Sequence, residues 1–164
     1  MLKKLLKWFV IVLAVAFVAA QFIRPTRVNP PVVESQTIFA TGNVSQDVHS
    51  IIDRSCNDCH TNTVVWPWYS NVAPVSWLVV DDVEEARKEL NFSTWGTSTP
   101  RRQAKKLEEI CEKVEEGEMP LKKYVYLHST AKLSEADRQR LCEWTKAFRA
   151  EIIAAHPEAA RKKG

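Results

Sequence analysis

Apolar positions in this chain recur at intervals of three and four in several separated stretches, and no stretch alternates apolar and polar residues long enough to read as a paired strand. The pattern predicts an all-α fold. Val48, Ile51, Ile52 and Cys56 share one face behind Ser45, whose hydroxyl suits an N-cap, so a helix is expected to run straight into Cys56. Pro74 fits a first helical position ahead of Val75, Leu78, Val79, Val83, Ala86 and Leu90 on a second helix. Ala104, Leu107, Ile110, Cys111 and Val114 predict a third, closed where Gly117 can turn left-handed. Ser134, supported by Asp137, opens a fourth whose buried stripe is Leu141, Trp144 and Phe148. Between these helices, Thr61 to Ala73 and Glu118 to Leu133 show no periodicity. Connections of that length are uncommon in compact domains unless they are functional, and a bound apolar group would order them.

Ahead of the periodic region, Lys3, Lys4 and Lys7 precede an apolar run from Trp8 to Ala20 that extends through Gln21 to Phe22 and Ile23. With Leu5 and Leu6 included and Lys7 snorkelling, the run reaches about 19 residues, close to the roughly 20 that cross a bilayer as helix. Val18 and Ala20 also offer small residues for signal cleavage. Residues 1–24 are therefore expected to be a signal anchor or a signal peptide, either of which puts the domain beyond the cytoplasmic membrane: in the periplasm of a bacterial envelope, tethered or free. The prolines of "RPTRVNPPVVESQT" make residues 25–40 an expected extended spacer holding a domain over 41–150 off the membrane. Residues 151–164 form a basic tail.

Charge changes the picture little. The formal net charge is +3, but five of the 23 basic residues flank the leader, leaving 18 against 20 acidic residues from Val28 onward. Without Arg161, Lys162 and Lys163 the balance over 34–160 is −5, which provides no electrostatic footprint for nucleic acid. The acidic run from Glu108 to Glu118 reads as a solvated face, or as a means of steering a basic partner.

The sharpest chemistry lies at "CNDCH", residues 56 to 60, in a chain with four cysteines. Cys56, Cys59 and His60 place two thiols and an imidazole on about one helical turn, as covalent haem attachment requires: the thiols add across the porphyrin vinyl groups and the histidine binds iron from the same side. A zinc site would add His49 to Cys56, Cys59 and His60, but no second cysteine pair at finger spacing exists, since Cys111 and Cys142 stand alone. A thioredoxin-like pair expects strands around it and a thiol at a helix N-terminus, whereas this motif ends a helix. Cys111 and Cys142 are either paired, as an oxidising compartment allows, or buried as small apolar residues.

Three blocks now carry a resemblance: "CNDCHTNTVVWPWYSNVAPVSWLVVDDVEEARKELNFSTW", "EEGEMPLKKYVYLH" and "LSEADRQRLCEW". In that order, over nearly all of residues 45 to 148, the chain resembles the bacterial haem-binding domain family of c-type cytochrome-like proteins. The resemblance implies an exported, often anchored protein with a cytochrome c-like helical domain around one covalent haem c, working in electron transfer or haem binding with redox partner proteins of unknown identity. "GEMP" is similar to the distal-methionine segment of small monohaem cytochromes, making Met119 the expected sixth ligand opposite His60, with His128 as the alternative. Trp66, Trp68, Tyr69 and Trp77 are expected either to cover haem edges or to pack as core. Pro74 is expected to offer its carbonyl to the second nitrogen of His60, as a loop proline does in similar cytochromes. The reading is of an electron carrier, not an enzyme. A haem-based ligand-binding or sensing module with an open distal site stands beside it, and a zinc-stabilised interaction module behind both.

Overall fold

The computed structural model describes residues 1–160, and the basic side chains of Arg161, Lys162 and Lys163 lie outside them. Among the described residues there is no strand. The helices are α1 (Leu2–Ala20), α2 (Ile38–Thr41), α3 (Gln46–Ser55), α4 (Asn57–His60), α5 (Val75–Glu89), α6 (Pro100–Glu115), α7 (Lys122–Leu127) and α8 (Glu135–Ala155), with 3-10 turns between several of them.

The capping chemistry explains where the helices begin. Thr37, Ser45 and Thr99 each accept a backbone N–H from three residues on, and Pro100 occupies the first turn of α6, satisfying donors that no intrahelical carbonyl can reach. Ser134 and Asp137 form a reciprocal capping box at the start of α8. At the other end of α6, Gly117 has φ +69°, the left-handed conformation that a Cβ disfavours. That turn sends the N–H groups of Glu118 and Met119 back to the Lys113 carbonyl, each at 3.0 Å.

The core forms where α6 and α8 pack together and close over α2 and α3, with Ile38, Ile52, Leu107 and Leu141 almost wholly buried. Cys111 and Cys142 join α6 to α8 as a disulfide. Closing a loop of 31 residues removes chain entropy equivalent to about 3 to 4 kcal/mol.

Three expectations change. The apolar stretch from Leu5 to Ile23 is helical only to Ala20, its first two turns carry Lys3, Lys4 and Lys7, and no helix among the described residues is long and apolar enough to cross a membrane. The leader takes the form of a 19-residue helix with no buried side chain. Second, residues 25–40 do not stand off as a slack spacer. Arg87 donates to Val28 O and Asn29 Oδ1, Asn29 donates to Val64 O, and Asn62 donates to Pro31 O, so this segment lies along the domain as a strap. Ile38, three residues before Thr41, is in the core. Third, the two long connections are ordered by the chain itself. Asn62 is held by Ser93 Oγ and Asn91 Nδ2, Thr61 Oγ1 donates to Asn57 O, and the connection from Glu118 to Leu133 carries α7 and a 3-10 turn over Ser129–Ala131.

Candidate functional site

Cys56 ends α3 and opens α4 with φ −128° and ψ −38°, a break that turns the next residues into one separate helical turn. Its carbonyl accepts the N–H groups of Cys59 (3.1 Å) and His60 (3.0 Å). This turn faces a cleft of about 310 Å³ that brings Cys56, Cys59 and His60 together with Met119, Pro120 and Leu121 from the segment after α6, and with Asp82, Glu85, Ala86 and Glu89 from α5. The left-handed turn at Gly117 is what feeds Met119 into it. A second hollow, about 200 Å³ and mostly apolar in its lining, adjoins the first and shares Cys59, Asp82, Leu121, Lys123 and Tyr124 with it.

The His60 ring is fixed from α5. Its Nδ1 lies 2.9 Å from the carbonyl of Leu90, the residue that caps α5. A carbonyl only accepts, so Nδ1 carries the proton and Nε2 keeps its lone pair. Burial lowers the imidazole pKa, working against the hydrogen bonds to the backbone of Leu90 and Ala86 that favour the charged form. The ring is thus neutral, in the tautomer a metal ion requires. The expected partner Pro74 is elsewhere: its carbonyl accepts from Trp77 N. Nothing in a side-chain pattern could have pointed to Leu90, because only its backbone acts.

The thiols are equally distinct in character. Burial, with Cys59 close by, pushes Cys56 up to about 12, and burial, with Asp58 and Asp82, pushes Cys59 up to about 11. These are protonated thiols at neutral pH, the opposite of the stabilised thiolate of a thioredoxin-like pair. His49 lies tilted against Phe39 with ring centroids 4.4 Å apart. Among the described residues, the cluster of three cysteine, histidine or acidic side chains with converging ligand atoms is Cys111, Glu115 and Cys142, whose sulfurs are already bonded to each other.

Polar contacts link α7 to the motif. Tyr124 donates to Asp58 Oδ2 at 2.7 Å, and Lys123 pairs with Asp82 at 2.7 Å. Burial and the Asp58 carboxylate raise the Tyr124 phenol well above its usual range. His128 lies behind Tyr124, stacked on it with centroids 4.4 Å apart and with Nε2 2.7 Å from Tyr69 Oη, and it lines neither hollow. Of the aromatic residues expected at the site, Tyr69 lines the apolar hollow, Trp66 is half-buried and lines neither hollow, Trp68 is 77% exposed, and Trp77 donates its indole N–H to Ile23 O at 2.7 Å. Asp58, Asp82, Glu85, Glu89 and Tyr124 were not singled out from the sequence. Tyr124 and Asp58 do sit inside the blocks that carry the resemblance, but nothing in spacing reveals a contact across 66 residues.

The side chains of α5 expected to form a core stripe have a different use. Val75, Leu78, Val79 and Val83 line the apolar hollow, and Val75 and Leu78 are 38% and 57% exposed. An apolar helix face turned to a cleft needs an apolar occupant. Two thiols, one neutral imidazole and one thioether converge beside that face, a donor set that fits a haem held through both cysteines.

The family model described as a haem-binding domain matches residues 15–147. No curated protein and no solved structure matches the chain.

Proposed function

The chain belongs to the haem-binding domain family, and from that premise we propose that it is a monohaem c-type cytochrome-like protein that passes single electrons and turns over no substrate. The observation that carries the reading is the cleft that collects Cys56, Cys59, His60 and Met119 from two separate segments of the chain. In this proposal Cys56 and Cys59 would hold the haem covalently, and His60 Nε2 and the Met119 thioether would ligate its iron. When bound, the haem supplies a one-electron couple whose potential the thioether raises relative to a second imidazole. Leu90 fixes the orientation of His60 and leaves its Nε2 basic. The Gly117 turn presents Met119, and the apolar face of α5 lines the hollow that adjoins the cleft.

Export belongs to the same proposal. α1 presents apolar side chains on every side with Lys3, Lys4 and Lys7 at its start, which supports a helix taken up by the cytoplasmic membrane with the domain on the outer side. Cleavage after Ala20 would leave the strap in place, since its contacts begin at Gln21. Glu85 and Glu89 in the lining of the cleft, and Glu118 next to Met119, favour a redox partner with a basic docking face.

The test is spectroscopic. Protein matured in a host that attaches haem c is expected to keep its reduced c-type spectrum after acid extraction of free haem, and to show a methionine-to-iron band when oxidised. Met119→Ala is expected to abolish that band and lower the potential. An unchanged spectrum and potential in this variant would remove Met119 from the iron. Ready carbon monoxide binding by the unaltered protein at neutral pH would favour the open, ligand-binding reading instead.

A further inference from the structure

Helix α1 meets the domain at one tightly fastened corner. Gln21 clasps Ala73 at two points, Nε2 donating to its carbonyl at 3.1 Å and Oε1 accepting from its N–H at 3.0 Å. Two residues on, Ile23 O accepts the indole N–H of Trp77 at 2.7 Å, and Arg27 donates to Ser70 Oγ at 3.0 Å. The joint is short and hydrogen-bonded, so whatever surrounds α1 also approaches this corner of the domain.

The corner is dressed in apolar side chains. Val65 is 75% exposed, Trp68 77%, Leu78 57% and Leu127 55%, with Val75 and Trp77 at 38% each. Val65, Val75, Leu78 and Leu127 together rim the apolar hollow beside the cysteine motif. Single exposed apolar residues are ordinary, but four at one rim with two exposed tryptophans on the same segments mark an interaction surface. Exposed basic residues stand on the segments at its edges: Arg24 and Arg27 after α1, and Lys122 at the start of α7. Tryptophan at the margin, aliphatic side chains inside it and cations at the edge match the composition of proteins at a lipid headgroup layer.

We propose that this corner rests on the membrane surface that takes up α1, with Trp68 and Trp77 at headgroup level and Arg24, Arg27 and Lys122 against anionic phosphates. The inference rests on the tethering reading above and adds an orientation to it. The domain is then held against the bilayer instead of hanging from it on a spacer.

The test uses the full-length, haem-loaded protein carrying Trp8→Phe, which removes the tryptophan of α1 itself. It is reconstituted into phosphatidylcholine vesicles containing phosphatidylglycerol, with acyl chains brominated or not. Flotation with the vesicles reads the tether, and the ratio of tryptophan emission in the two lipids reads the corner, because Trp95 and Trp144 are buried. The expected result is flotation with clear quenching by brominated chains. Quenching falls in part when Trp68→Phe is added, a change that leaves the Trp77 bond to Ile23 intact, and mostly disappears when Trp77→Phe is added too, while flotation persists. Flotation with emission unaffected by bromination overturns the orientation and leaves the tether standing. Quenching undiminished without Trp68 and Trp77 also overturns it, since Trp66 would then be the residue in contact. Failure to float removes the tether and the orientation together.

Discussion

At the scale of single residues, the protonation states at the motif separate one cysteine chemistry from another. Cys56 and Cys59, pushed up to about 12 and about 11 by burial, carry little thiolate at neutral pH. In chain produced without haem attachment, iodoacetamide is expected to modify both thiols roughly tenfold or more slowly than free cysteine at pH 7.5. Mass spectrometry of the alkylated peptides reads this directly, and fast alkylation of Cys56 would return the thiol-exchange reading to consideration. The pentapeptide itself was legible in the sequence because its information is entirely local. Leu90 was not, because the group that orients His60 is a carbonyl that any residue type supplies.

The helical elements carry their own instructions at their ends. A Cβ at Gly117 would meet no atom within 4 Å, so the cost of substitution there is the left-handed φ of 69° alone. Gly117→Ala is expected to lower stability by about 1 kcal/mol in denaturant melts, and to weaken the methionine-to-iron band, because the same turn presents Met119. A loss of stability with an untouched band would show that Met119 does not depend on the cap. At the start of α8, burial opposes ionisation of Asp137, but hydrogen bonds from the Ser134 backbone and hydroxyl and the nearby Arg54 outweigh it and hold the carboxyl below its ordinary range. A depressed folded pKa means the stabilisation is present above the unfolded value of about 3.9 and is lost as pH falls through the folded value. Asp137→Asn is expected to cost about 1 kcal/mol at pH 7 and progressively less as pH falls below about 3.9, measured by thermal melts across the acid range. All four expected helices are present because their caps and stripes are local signals. Helix α5 departs from its expected role: only Ser76, Val80 and Val83 are buried, and most of its apolar face lines a cleft. Periodicity reports that a face is apolar and not what covers it.

For the whole molecule, the strap is the feature with the widest reach. Arg87 donates to Thr61 O, immediately after His60, and also to Val28 O and Asn29 Oδ1, so one guanidinium fastens the strap to the cysteine motif. Arg87→Ala is expected to cost about 1 to 3 kcal/mol through unpaired carbonyls, and to speed tryptic cleavage after Arg27, followed by mass spectrometry of the fragments. Equal cleavage rates in the two proteins would show that the strap is held without it. By itself the sequence determined the helical class, the helix starts, and the pairing of two thiols with a histidine, because each of these is set by neighbours within a few residues. Tertiary structure alone decided that Met119 and not His128 shares the cleft with His60, that Cys111 and Cys142 are bonded, and that residues after α1 lie on the domain. Those outcomes depend on which distant backbone and side-chain groups meet when apolar faces close together, and spacing along a chain holds no record of that.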